Sequence, residues 1–177
     1  MEEKFKQRLK EEKGKFLHYC LDEVTLANGH ISTREMVVHP GAVGIVAVTP
    51  DQEVVLVKQY RYPVQTVLYE IPAGKLERGE DPAAAAQREL EEETGYNAEK
   101  WEKLTTLYTA PGFSNEAMHL YLATNLVHKK AHPDPDEIIT CDTLPLSKVI
   151  QMAVNGEIKD GKTVIAVLWL MMRERQN

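Results

Sequence analysis

Between Gly74 and Tyr96 the chain reads GKLERGEDPAAAAQRELEEETGY: a glycine turn, a helix start, a crowd of glutamates and a second glycine. Carboxylates packed this closely repel one another, and a hard divalent cation is the chemistry that rewards keeping them together. On a helix, Glu89 and Glu93 stand four residues apart and Glu92 three from Glu89, so the three carboxylates project from one face while Glu91 points elsewhere. They also lie near the helix C-terminus, where the macrodipole disfavours negative charge. Arg88, four residues before Glu92, reaches Glu92 or Glu80 and holds ligands in place rather than touching substrate. A solvated acidic face is the plainer meaning of a charge run. The glycines bracketing this one at both ends weaken that alternative.

The elements that must carry these side chains are legible around them. Asp81 is a good N-cap, Pro82 suits a first helical position, Ala83 to Ala86 are strong helix formers, and Gly95 supplies the stop. Upstream, GIVAV, EVVLVKQYRY and TVLYEI are dense in β-branched and aromatic residues and are separated by Pro50-Asp51 and Pro63, as expected of buried strands. Downstream, Leu104 to Tyr108 and Ala117 to Ala123 are strands flanking the loop TAPGFSNE. The polar stretch HKKAHPDPDE, the strand-like IITCDTLPL, and helices over 146–155 and 163–173 complete the chain. Before all of these, Phe16 to Leu26 and Ile31 to Val38 form a hairpin joined at Asn28-Gly29.

The spacing G-x5-E-x7-R-E-L-x-E-E-x-G fixes Gly74, Glu80, Arg88, Glu89, Leu90, Glu92, Glu93 and Gly95, and at these residues the chain resembles the Nudix hydrolases. It departs only at the last position, where the family has an aliphatic residue and this chain has Tyr96, a matter of packing behind the helix. The resemblance implies an α/β fold: a Nudix-type α/β/α sandwich with a mixed sheet, here with a small N-terminal antiparallel β unit. Residues 1–40 would form that hairpin subdomain, serving dimerisation, and 41–177 the hydrolase domain. By the same carry-over Glu89 and Glu93 are the main metal ligands, Glu92 helps directly or through water, and the Ala73 carbonyl joins them. The ion is Mg²⁺, with Mn²⁺ as the alternative.

Pro111 lies where the resemblance extends to the ADP-ribose pyrophosphatase subgroup, as do QYR at 59–61, YEIPAGKLE at 69–77 and HLYLA at 119–123. This implies hydrolysis of ADP-ribose to AMP and ribose 5-phosphate, with another nucleoside diphosphate sugar such as GDP-mannose or ADP-glucose, or a non-catalytic sensor of such a compound, as the alternatives. Arg61 resembles the arginine that meets the diphosphate, with Glu70 facing the nucleoside or pairing with Arg61. Gly112 and Phe113 of the TAPGFSNE loop join the substrate-binding set. Tyr19, Tyr60, Tyr62 and Phe113 are the aromatics available to stack on a base, a core role being the default for each. The catalytic set is Glu92, Arg88 and a base from the acidic loop at Asp134, Asp136 and Glu137. Glu137 aligns best, with Asp136 or a metal-bound hydroxide alone as alternatives.

Composition agrees. With 177 residues, 43% hydrophobic and 27% charged, the chain can bury one substantial core. No apolar run approaches a membrane span, and the charged start MEEKFKQRLKEEKGKF lacks a signal peptide's apolar region, so a cytoplasmic homodimer without membrane or nucleic-acid partners is expected. A formal charge of −6 fits the exclusion of nucleic acid. Cys20 and Cys141 have no redox or metal spacing and are expected to be buried thiols. The six histidines form no zinc-hydrolase pattern, and there is no G-x-S-x-G elbow, P-loop or G-x-G-x-x-G.

Overall fold

A computed structural model describes residues 1–129 and 138–174 of the chain, with the side chain of residue 174 excepted. The element order is β1 (Lys4–Lys13), β2 (His18–Thr25), β3 (Ile31–Val38), β4 (Ala42–Val48), β5 (Glu53–Arg61), a 3-10 turn (Tyr62–Val64), β6 (Thr66–Glu70), β7 (Ala73–Lys75), α1 (Pro82–Thr94), β8 (Tyr96–Tyr108), β9 (Ala117–His128), β10 (Ile139–Pro145), α2 (Leu146–Val154) and α3 (Gly161–Glu174). The chain divides into two compact units, one of residues 1–41 with 108–117 and one of residues 42–107 with 118–177.

The larger unit is built on a mixed sheet in the order β10-β5-β4-β9-β8, with β6 paired to β5 and β7 to β4. Strands β4 and β9 run parallel, whereas β5, β7 and β10 pair antiparallel. All seven residues of β4 are buried, so the strand reads as an unbroken apolar run because both of its faces are covered. Alternate side chains serve opposite layers. Val46 and Val48 join Leu56, Leu120, Val149, Ile158, Val167 and Leu170 under α2 and α3. Val43, Ile45 and Ala47 join Val55, Tyr121, Ala85, Ala86 and Leu90 under α1. This is the expected sandwich, one helix on one face and two on the other.

The smaller unit is a three-stranded antiparallel sheet, β1-β2-β3. The expected hairpin is there: Gly29 N–H donates to Leu26 O at 2.9 Å, and Thr25 faces Ile31 across the turn. A third strand was not expected. β1 is exposed along its whole length, and its alternation of charged residues with scattered apolar ones gives little signal of period two. Ion pairs such as Arg8 with Asp22 (2.7 Å) and Lys6 with Glu23 (2.7 Å) fasten it to β2 instead of a buried face. The TAPGFSNE loop belongs to this unit, with Val37 N–H donating to Phe113 O (2.7 Å) and His39 N–H to Asn115 Oδ1 (2.8 Å).

Other boundaries differ from expectation. β8 starts at Tyr96, directly after α1, and β9 runs on to His128; the polar positions at their exposed faces mask the alternation. Tyr96 does pack behind the helix, at the margin of the α1 layer and edge-on to His128. Cys20 is buried, but Cys141 is exposed because β10 is an edge strand. Of the stacking candidates, Tyr60, Tyr62 and Phe113 are exposed rather than in the core. The first two sit where β5 leaves the covered part of the sheet.

Candidate active site

Helix α1 starts where the sequence requires. Asp81 Oδ2 accepts the backbone N–H groups of Ala83 (3.0 Å) and Ala84 (3.1 Å), and Gly95 ends the helix at φ 71° with its N–H on Glu91 O. Apolar Ala85, Ala86 and Leu90 turn inward, which fixes the rotation of the helix and leaves Glu89, Glu92 and Glu93 on the flank toward β7.

The three acids are then held differently. Glu93 is 7% exposed, and its Oε2 accepts the Ala73 backbone N–H at 3.0 Å. Glu89 lies directly over Gly74: a Cβ built there would stand 1.9 Å from Glu89 Cδ. Glycine at 74 is therefore the space the carboxylate occupies. Arg88 gathers the remainder. Its Nε and Nη2 each donate to Glu80 at 3.0 Å, and its Nη1 donates to Glu89 (2.7 Å) and Glu92 (2.9 Å). Glu80 leads the groups that keep the guanidinium charged, and Arg88 in turn holds the Glu80 carboxyl below the usual carboxylate range. Arg88 is thus one positive charge among four carboxylates. Glu80 also closes the loop before the helix by accepting the Glu77 N–H (2.8 Å).

A second cluster forms at the ends of β5 and β6. Arg61 Nε and Nη2 meet the two oxygens of Glu70 at 2.7 Å each, a paired fork-to-carboxylate contact. Glu70 is 1% exposed. Burial pushes its carboxyl up, but Arg61 and Lys162 outweigh that and hold it below the usual glutamate range. Lys162 bonds Glu70 and lies 3.1 Å from Asp160. Asp160 caps α3 by accepting Thr163 N–H (3.0 Å) and Oγ1–H (2.6 Å), while Thr163 Oγ1 accepts the Ile71 N–H at 2.8 Å. Arg61 is kept charged first by Glu70, with Asp160 and Glu93 contributing through their fields. Lys162, Asp160 and Thr163 are the members that sequence reasoning missed. The signal is D-G-K-T, a cap preceding a helix that starts at Gly161, two residues ahead of the expected Thr163.

Of the expected site residues, Glu92, Arg88, Arg61, Glu70, Ala73, Glu89 and Glu93 belong to the larger unit. Gly112 and Phe113 belong to the smaller one, where with Arg34, Glu35, Met36 and Tyr108 they line a cavity of about 350 Å³. Glu137, Asp134 and Asp136 lie outside the described residues.

Carboxylate oxygens at helical spacing over a glycine are the hard donors that Mg²⁺ or Mn²⁺ takes. The NUDIX domain family model matches residues 38–166. The chain belongs to the Nudix family, whose hydrolases work with divalent metal ions. It is 47% identical to a methanol dehydrogenase activator of Bacillus methanolicus over 91% of this chain and 88% of the relative. It is 43% identical to an ADP-ribose pyrophosphatase of Bacillus subtilis over the same shares, and 40% identical to one of Mycobacterium tuberculosis over 83% of this chain and 72% of the relative. Relatives named GDP-mannose pyrophosphatase match at 34% and 32%. No described helix is long and apolar enough to cross a membrane.

Proposed function

We propose that the chain is an ADP-ribose pyrophosphatase, adding water across the diphosphate to release AMP and ribose 5-phosphate. The observation that carries the reading is the seat of Glu89 on Gly74 beside the buried Glu93, two carboxylates brought together on one helix flank. Glu89 and Glu93, with Glu92 and the Ala73 carbonyl, would hold Mg²⁺ or Mn²⁺. A cation there offsets phosphate charge and lowers the pKa of the attacking water. Arg88 keeps Glu89 and Glu92 aimed. Arg61, oriented by Glu70, offers its guanidinium to the diphosphate. Glu137 or Asp136 takes the proton from water.

Two names among the relatives support this substrate at 40% and 43% identity, above those for GDP-mannose. Hydrolysis of a panel of ADP-ribose, ADP-glucose and GDP-mannose, read as phosphate-ester products, tests it. A clear preference for a non-adenine compound overturns the choice. Glu93→Gln separates enzyme from sensor: turnover should fall at least 100-fold, with ligand affinity changed far less. The Bacillus methanolicus relative supports a second reading, in which the same site serves a dehydrogenase. Stimulation of methanol dehydrogenase by wild type but not by Glu93→Gln would support it. Residues 1–40 serve a cytoplasmic homodimer in this proposal. Sedimentation of the full chain against one lacking residues 1–40 tests that role.

A further inference from the structure

Away from the acidic helix, three metal-ligand side chains of different kinds converge on one face of the N-terminal sheet. Glu11 on β1 stands opposite Cys20 on β2 in the strand register. His18 precedes Cys20 by two, so all three side chains share a face. Their ligand atoms lie within 4.8 Å of one another. His18 Nε2 is 2.5 Å from Glu11 Oε1 and 3.4 Å from Cys20 Sγ.

We propose that Glu11, His18 and Cys20 form a binding site for a borderline-soft divalent cation, zinc in particular, which clamps β1 to β2. Two acceptor-bearing groups approach the same ring nitrogen, which has in its plane either one hydrogen or one lone pair. It makes a full bond to only one of them at a time, whereas a single cation on that lone pair would serve all three ligands. The donor set is thiolate, imidazole and carboxylate, a combination zinc takes, whereas Mg²⁺ and Ca²⁺ are served by the carboxylate alone. In a tetrahedral zinc site, bonds of about 2.0–2.3 Å place neighbouring ligand atoms roughly 3.3–3.6 Å apart. The Sγ to Nε2 distance already fits. Glu11 must retreat by about 1 Å, which a side chain 40% exposed can do. Binding replaces the Cys20 thiol proton with the cation and releases that proton to solvent. Lys13, 3.3 Å from Glu11 Oε1, and Arg8 at 3.6 Å are the competing cations; Lys13 has a long, flexible stem that lets it swing aside, while Arg8 stays on Asp22 as Glu11 withdraws.

A clamp here has a physical purpose. β1 has no buried residue, so beyond its backbone ladder with β2 it adheres through ion pairs that are individually weak. A bound cation would tie it down by linkage.

The test is titration of the metal-stripped full chain with Co²⁺ and Zn²⁺ in excess Mg²⁺, which keeps the acidic helix occupied. One equivalent of Co²⁺ should give thiolate-to-metal charge-transfer absorption, and Zn²⁺ should displace it. Cys20→Ser should abolish the band, and His18→Gln and Glu11→Gln should each weaken Zn²⁺ affinity at least tenfold. Absence of the band from wild type overturns the proposal. So does its survival in Cys20→Ser, which would assign it to Cys141. Should Cys20→Ser not fold, the two exposed-side variants decide: unchanged affinity in both sinks the site.

Discussion

Replacing Gly74 with alanine adds one methyl group where β7 passes beneath α1. The new carbon would stand 1.9 Å from Glu89 Cδ and 2.0 and 2.2 Å from its oxygens. Carbon atoms rest at about 3.5–4.0 Å, so the overlap is about 1.6–2.1 Å and one group must move. Gly74 is held, because β7 is in register with β4 and Gly74 pairs with Val43. The Glu89 side chain therefore swings out and leaves Arg88. Folding loses little. Arg88 keeps Glu80 and Glu92, and a partly exposed ion pair is worth about 0–1 kcal/mol, or roughly 0–4 °C in Tm for a chain of this size. Catalysis loses more, since even groups that merely orient metal ligands cost about 10–100-fold when removed. The assay is kcat/KM on ADP-ribose across a divalent-ion titration, beside a thermal melt. A fall of at least tenfold, relieved in part by high metal concentration, with Tm within a few degrees, is expected. Gly161→Ala, with open space around its Cβ, is the control and should hold or raise Tm. Wild-type turnover and metal dependence in Gly74→Ala would refute the reasoning, as would a loss explained entirely by unfolding.

Glu70→Ala strands Lys162 and half-buried Arg61 without their shared carboxylate. Breaking a buried pair this way costs about 3–5 kcal/mol, a Tm drop of roughly 6–20 °C by melt. Glu70 also gives a pH signature. Its folded pKa lies below its unfolded value of about 4.3, so its contribution is present above that pH and is lost as pH falls through the folded pKa. The stability gap between wild type and Glu70→Gln should accordingly narrow in acid melts below about pH 4, and a constant gap would contradict it. Asp81→Ala removes the cap from Ala83 and Ala84 and should cost about 0.5–2 kcal/mol by denaturant titration. Arg88→Lys replaces a planar fork that spans three glutamates with a point charge. It should raise the metal concentration needed for half-maximal turnover while shifting Tm by only a few degrees.

The acidic helix was legible because everything that positions it is local. Asp81, Pro82 and Gly95 set its ends, and the period of Ala85, Ala86 and Leu90 sets its rotation. The central strands were legible for the same reason, each being an apolar run that needs no partner to be recognised. What escaped depends on distant residues. β1 has no buried face; its pairing is to β2, a ladder that Arg8 and Lys6 reinforce by meeting Asp22 and Glu23 across the sheet. Lys162 acquires its role from Glu70, 92 positions earlier, and nothing in DGKT announces that meeting. Arg61 and Glu70 were visible as candidates, but their mutual grip required the β5–β6 register, in which Arg61 faces Thr66 and Val57 faces Glu70.

The two charged clusters answer opposite electrostatic demands. Around α1 one guanidinium sits among four carboxylates, so the flank stays negative and a substrate diphosphate would be repelled without a cation between them. At the β5–β6 end the charges balance: Arg61 and Lys162 against Glu70 and Asp160. Balance permits burial, which an unpaired glutamate at 1% exposure would not survive. It also leaves Glu70 as a fixed anchor that holds Arg61 by two bonds, so in the proposed function the fork would meet a phosphoryl oxygen already oriented and lose little side-chain entropy in doing so. Lys162 follows from that requirement. It bonds Glu70 and lies 3.1 Å from Asp160, so each carboxylate of the cluster has a cation.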